Sequence, residues 1–111
     1  AGPDPSLISQ PARAIEAAAA RVDLAVSDID LFELNEAFAA VGVQSMKDLG
    51  ITGDVTNVNG GAIAIGHPVG MSGTRLALTI LLELQRRGGG VGAAALCGGG
   101  GQGDGIIVRT L

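Results

Sequence analysis

Asn35, His67 and Cys97 are the residues whose types and settings could do chemistry in this chain. His67 is its only histidine and Cys97 its only cysteine. His67 lies in a stretch, Asn57 to Arg75, crowded with glycine and small residues. Those glycines permit close approach of another chain segment or a ligand. Pro68 biases His67 towards an extended backbone, which puts the imidazole on a loop. A long helical pattern is expected to begin just after it, near Ser72. A helix N-terminus beside an imidazole disfavours the cationic form and suits a neutral donor or base. The alternative is a loop histidine without chemistry.

Cys97 ends an apolar run, Val91 to Cys97, that reads as a strand. Such a thiol is commonly buried and inert. Against that, the end of a strand in an α/β sheet is where function collects. The glycines that follow also expose backbone N–H groups able to cradle an oxyanion. Asn35 falls where a short apolar run gives way to a helix, a position that suits a helix cap as well as a catalytic amide. Gly98 to Gly103 formally matches G-x-G-x-x-G, but a β-branched run, Ile106-Ile107-Val108, follows in place of a helix. A dinucleotide fingerprint therefore fails on context. Gly70-Met71-Ser72-Gly73 misses the last glycine of a nucleophile elbow, because Thr74 stands there.

The elements that must position these residues follow from periodicity. Ala12 to about Arg21 is expected as a helix, with Ile15, Ala18, Ala19 and Val22 at helical spacing. Asp23 to Asp28 reads as a polar connection and Ile29 to Leu34 as a buried strand, with Glu33 its one discordant residue. Phe38, Val41, Ser45 and Leu49 predict a helix ending at Gly50. Ile51 to Thr56 is a linker. From Ser72 to Arg87, Leu76, Ile80, Leu81 and Leu84 share a face that Leu78 and Leu82 widen, predicting a helix buried on most sides. Val91 to Cys97 and Gly105 to Leu111 predict a final antiparallel pair joined by Gly98 to Gly103. The alternation argues one layered α/β domain over residues 1–111, with a mostly parallel sheet.

Composition bounds the function. The chain has 111 residues, 47% apolar, with nineteen glycines and only two aromatics, Phe32 and Phe38. Its core must be aliphatic and small-residued. A net charge of −4 without a basic face excludes the usual electrostatics of nucleic-acid binding. One cysteine and one histidine are too few for a four-ligand zinc site, so no metal is expected. No apolar run approaches a membrane span. A lone cysteine makes a reducing, cytoplasmic setting the expectation. The chain begins at Ala1, which marks it as a candidate fragment.

Asn35-Glu36-Ala37-Phe38-Ala39, the Asn57 to Arg75 stretch with its Gly66-His67-Pro68, and Cys97-Gly98-Gly99-Gly100 occur together in this order. Together they resemble the C-terminal signatures of the thiolase family, in its acetyl-CoA acetyltransferase branch, over practically the whole chain. The resemblance implies the second of two similar α/β halves, a mixed β-sheet covered by helices, with that half's first strand expected to lie before Ala1. The implied reaction is the reversible Claisen condensation of two acyl-CoA thioesters, or thiolysis of a 3-ketoacyl-CoA. Coenzyme A thioesters would then be substrates, with no further cofactor. By the family pattern His67 activates a nucleophilic cysteine and later donates to the enolate oxygen. Asn35 holds a water that completes this first oxyanion site, and Cys97 exchanges the α-proton. The Gly99 amide contributes to a second oxyanion hole, and Phe38 lines the acyl pocket.

The nucleophile would belong to the absent N-terminal half, because Cys97 matches the acid/base position. The family is usually dimeric or tetrameric, so a homo-oligomer is implied for the whole protein. A noncatalytic α/β structural or interaction module is the competing reading. A ketoacyl synthase ranks below both, since that family generally places a second histidine where Cys97 stands.

Overall fold

The computed structural model describes residues 2–111. Helix α1 (Gln10–Ala20) starts with Pro11 in its first turn, where the missing N–H costs nothing, and is otherwise rich in alanine. It buries Ala12, Ile15 and Ala19 on one face. Val22, expected on that face, lies past the helix end and is 53% exposed. The connection that follows contains a short 3₁₀ turn, Val26–Asp28, ahead of strand β1 (Leu31–Leu34). Helix α2 (Ala39–Leu49) ends on Gly50 in the left-handed conformation, φ 67°, which glycine adopts without strain. A single helical turn, α3 (Ala62–Ile65), is the one helix absent from the sequence expectation.

Helix α4 (Val69–Arg86) begins at Val69, three residues earlier than expected. Strands β2 (Gly90–Gly98) and β3 (Gln102–Thr110) complete the chain and are longer than periodicity implied. The sheet has the order β1-β2-β3, with β1 parallel to β2 and β2 antiparallel to β3. A lone parallel bridge between Phe32 and Thr56 adds a strand-like contact on the free side of β1. The fold is therefore α/β with a mixed sheet, as expected.

Side chains alternate across the sheet. Phe32 and Leu34 of β1, with Ala93 and Ala95 of β2, form one core with Ile15 and Ala19 of α1 and Leu49 of α2. Leu31 and Ala94 face the other way onto Leu76, Ile80 and Leu84 of α4. The small residues of β2 set the layer spacing. A Cβ added at Gly92 would stand 2.6 Å from Ile80 Cδ1. Likewise, α1 lies on β3 at Gly103, where a Cβ would meet the Gln10 carbonyl oxygen at 2.6 Å. Gly103, which reads as part of a connection in the sequence, is thus a close-approach point within a strand.

One expectation needs correction. Leu78 and Leu82 are each 55% exposed, so α4 is buried on one side and open on the other. Its last turn is fixed from within. Arg86, then Arg87 and Asn59, hydrogen-bond the Glu83 carboxylate and hold it well below the usual carboxylate range.

Candidate active site

Because β1 and β2 are parallel, their C-terminal ends share one edge of the sheet. Asn35 follows β1 there, its backbone N–H donating to Ala95 O at 2.9 Å. Cys97 lies two residues beyond Ala95 on β2, opposite Gly103 of β3. The β2–β3 turn, with Gly100 and Gly101 in left-handed conformations, carries Gly99 at the same edge. His67 reaches this edge from the loop just before α4, with Pro68 in extended conformation as the helix cap.

Asn35 is fully buried, and its Nδ2 stands 3.2 Å from His67 Nε2. The other ring nitrogen, Nδ1, is 2.6 Å from Ser72 Oγ, in the first turn of α4. Ser72 Oγ donates to Pro68 O at 3.0 Å. Both faces of the imidazole edge are thus held, one from β1 and one from α4. Asn35 Oδ1 is buried with no hydrogen-bond partner in the structure. Burial pushes the Cys97 thiol up, its own backbone hydrogen bond pulling weakly the other way. The thiol is therefore the resting form, and a thiolate made there is a stronger base than an ordinary one. Gly99 and Phe38 are exposed, Phe38 by 66%. Ile63, Ile65 and Val69, on the segments flanking His67, are exposed too.

Two further layers hold this arrangement, and neither was singled out from sequence. Asn57, itself left-handed at φ 49°, pairs with β1 through its side chain. Its Oδ1 accepts from Leu34 N–H at 2.8 Å and its Nδ2 donates to Leu34 O at 2.9 Å. The same Nδ2 reaches Glu36 Oε1 at 3.0 Å, while Glu36 Oε2 accepts the Ile63 N–H at 2.8 Å. A Cβ at Gly61 would stand 2.5 Å from Glu36 Cδ, so a larger residue there would push this carboxylate off its hydrogen bonds. The Asn-Glu and Asn-x-Asn-Gly-Gly motifs thereby lock together directly upstream of His67. Asparagine tolerates the left-handed region better than most residues, which suits it to position 57.

The second layer is an ion pair between layers of the fold. Arg75 of α4 donates to Glu33 Oε2 at 2.8 Å, with both side chains at most 10% exposed. Burial raises the Glu33 carboxyl to about 7, the Arg75 guanidinium opposing the shift. A folded-state value above the unfolded 4.5 means that folding favours the protonated acid. Its contribution is full below about 4.5 and is lost as pH rises through about 7. The stability gap between wild type and Glu33→Gln should therefore shift by about 2 kcal/mol over that window, after allowance for solvent screening. Urea midpoints of both proteins at pH 4.5 and 8 check this, and parallel pH dependences would refute it.

No helix among the described residues is long and apolar enough to cross a membrane. Residues 1–110 match the family model described as thiolase, C-terminal domain. A Mycobacterium leprae protein named "Probable acetyl-CoA acetyltransferase" is 58% identical over 100% of this chain and 28% of its own length. The mouse protein named "Acetyl-CoA acetyltransferase, cytosolic" is 48% identical over 98% of this chain and 28% of its own. The crystal structure of Bacillus anthracis acetyl-CoA acetyltransferase superposes with a TM-score of 0.93 at 41% identity, covering 100% of this chain and 28% of that one. The chain thus spans 28% of the length of these relatives. With its fold, its signature residues and residues 1–110 all in agreement, this chain belongs to the thiolase family.

Proposed function

We propose that this chain supplies the imidazole and acid/base thiol of an acyltransferase that joins two acetyl-CoA molecules, or cleaves a 3-ketoacyl-CoA in reverse. The observation that carries the reading is His67, held between Asn35 and Ser72 at the sheet edge that also carries Cys97. In the first half-reaction His67 takes the proton of a cysteine thiol supplied by the remainder of the enzyme. The thiolate attacks the thioester carbonyl, and CoA leaves as its thiol after receiving that proton. In the second, the Cys97 thiol gives up its proton to the now neutral His67 and, as thiolate, removes the α-proton of another acetyl-CoA. The enolate carbon attacks the acyl-cysteine carbonyl, releasing the nucleophilic cysteine and forming acetoacetyl-CoA.

An α-proton of a thioester is weakly acidic, so the enolate oxygen needs strong donors. Preorganised donors of this kind are worth about 3 kcal/mol each. His67 in its imidazolium form, donating from Nε2, fills that role with a water held by Asn35, and the Gly99 amide serves the acyl-cysteine carbonyl. Phe38, exposed beside this edge, is suited to lining the acyl pocket once the rest of the enzyme covers it. Coenzyme A thioesters are the substrates, and no further cofactor takes part. The whole protein is read as a cytoplasmic homo-oligomer, a dimer or tetramer, whose N-terminal half completes residues 1–111 as one C-terminal domain.

In the assembled enzyme, His67→Ala should slow acylation of the nucleophile by roughly 10²-fold and impair condensation as well. Single-turnover acylation with radiolabelled acetyl-CoA measures it. An unchanged acylation rate in a folded variant would assign the activating base elsewhere. The 111-residue chain alone should not turn over acetoacetyl-CoA, because it holds one of the two sulfur groups that the reaction needs.

A further inference from the structure

The contacts of His67 carry an assignment that the proposed reaction does not itself contain. A neutral imidazole has one N–H and one lone pair, and the partner of each nitrogen decides which is which. Nε2 faces the Asn35 side-chain amide and Nδ1 faces the Ser72 hydroxyl. We propose that Ser72 is the residue that fixes the His67 tautomer, holding the proton on Nδ1 and leaving the lone pair on Nε2.

Three hydrogen bonds then run in one direction. Asn35 Nδ2–H donates to Nε2, Nδ1–H donates to Ser72 Oγ, and the Ser72 hydroxyl donates to Pro68 O. The chain of donors ends on a carbonyl, which only accepts. Running it backwards would turn the Asn35 amide over, so that its NH₂ took the buried position where Oδ1 now has no partner. An under-satisfied carbonyl oxygen is tolerated in protein interiors more often than orphaned N–H groups, so the first direction is favoured. Ser72 is 1% exposed, so its hydroxyl is not drawn away to bulk water. It also lies on the first turn of α4, whose later residue Arg75 is tied to β1 through Glu33, so the hydroxyl is held by a rigid element.

The catalytic meaning of this assignment rests on the proposed role of His67. A base that takes a thiol proton through Nε2 needs the lone pair there at rest. Ser72 touches no reacting atom and is a positioning residue. Its hydroxyl keeps its hydrogen bond in the imidazolium state as well, because Nδ1 stays a donor throughout.

The test is a long-range ¹H–¹⁵N correlation spectrum of the imidazole in the assembled, ¹⁵N-histidine-labelled enzyme above neutral pH. The His67 signals are identified by their loss in His67→Gln. Wild type should show Nδ1 protonated and Nε2 bare, and Ser72→Ala should move the population to the Nε2–H form. A wild-type spectrum with Nε2 protonated would overturn the assignment, even if Ser72→Ala failed to fold. A Ser72→Ala spectrum that kept the Nδ1–H pattern would overturn it too. Ser72→Thr, which retains a hydroxyl, should keep the wild-type pattern. In single-turnover acylation Ser72→Ala should lose on the order of 10²-fold, and Ser72→Thr should recover most of it. The expected tautomer in a protein that transfers no acyl group would sustain this assignment and reject the proposed reaction, so the two fail separately.

Discussion

Replacing Cys97 with alanine in the assembled enzyme should reduce condensation by roughly 10³–10⁴-fold while acyl transfer to the nucleophile stays measurable. The split follows from the chemistry of the two steps. Acylation needs a thiolate nucleophile and a base, and in the proposed reaction His67 provides the base. Carbon–carbon bond formation adds the removal of an α-proton, which the proposal gives to Cys97, the one thiol of this chain. Because burial pushes that thiol up, the base form grows with pH. Condensation by wild type should therefore rise as pH moves above neutral, whereas any residual condensation by Cys97→Ala should lack that rise. Deuterium exchange into the acetyl methyl group, followed beside radiolabel capture, separates the steps. Loss of acylation in a folded Cys97→Ala protein would reassign Cys97 as the nucleophile.

Arg75→Ala should destabilise the fold by about 3 kcal/mol at pH 8, because it strands the Glu33 carboxylate in an apolar layer. Glu33 is 2% exposed and has no other cation against it among the described residues. At pH 5 the same variant should lose less, since a carboxyl already raised to about 7 escapes the penalty by taking a proton. The double variant Glu33→Gln/Arg75→Met should recover much of the loss, as replacement of a whole buried pair costs little. Urea unfolding of the three proteins at both pH values decides the matter. Equal losses for Arg75→Ala at pH 5 and pH 8 would mean that lost packing, not the stranded charge, dominates.

The chemistry-bearing residues were more legible than their supports. His67, Cys97 and Asn35 stand in motifs where glycine, proline and strand ends make the local backbone predictable. The support residues act across the fold. Glu33 registered only as a discordant charge in a strand, and its partner Arg75 lies 42 positions away. Asn57 works by pairing with Leu34 as though it were another strand, which no local pattern encodes. The start of α4 was placed late because Gly70 is a weak helix former, yet the helix runs through it from Val69. Leu78 and Leu82 widened an apparent core face because periodicity counts apolar residues without knowing what lies opposite them.

The parallel pairing of β1 with β2 has a kinetic consequence. Asp30 and Val91 hydrogen-bond across 61 positions of chain, with α2, α3 and α4 strung between them. Asn35 and Cys97 come to the same end of the sheet only after that long loop has closed, a step with a high entropic cost and no local reward. The site is therefore a late product of folding. Any partly folded species with formed helices lacks it, and the Asn35–His67 contact reports that the sheet has closed.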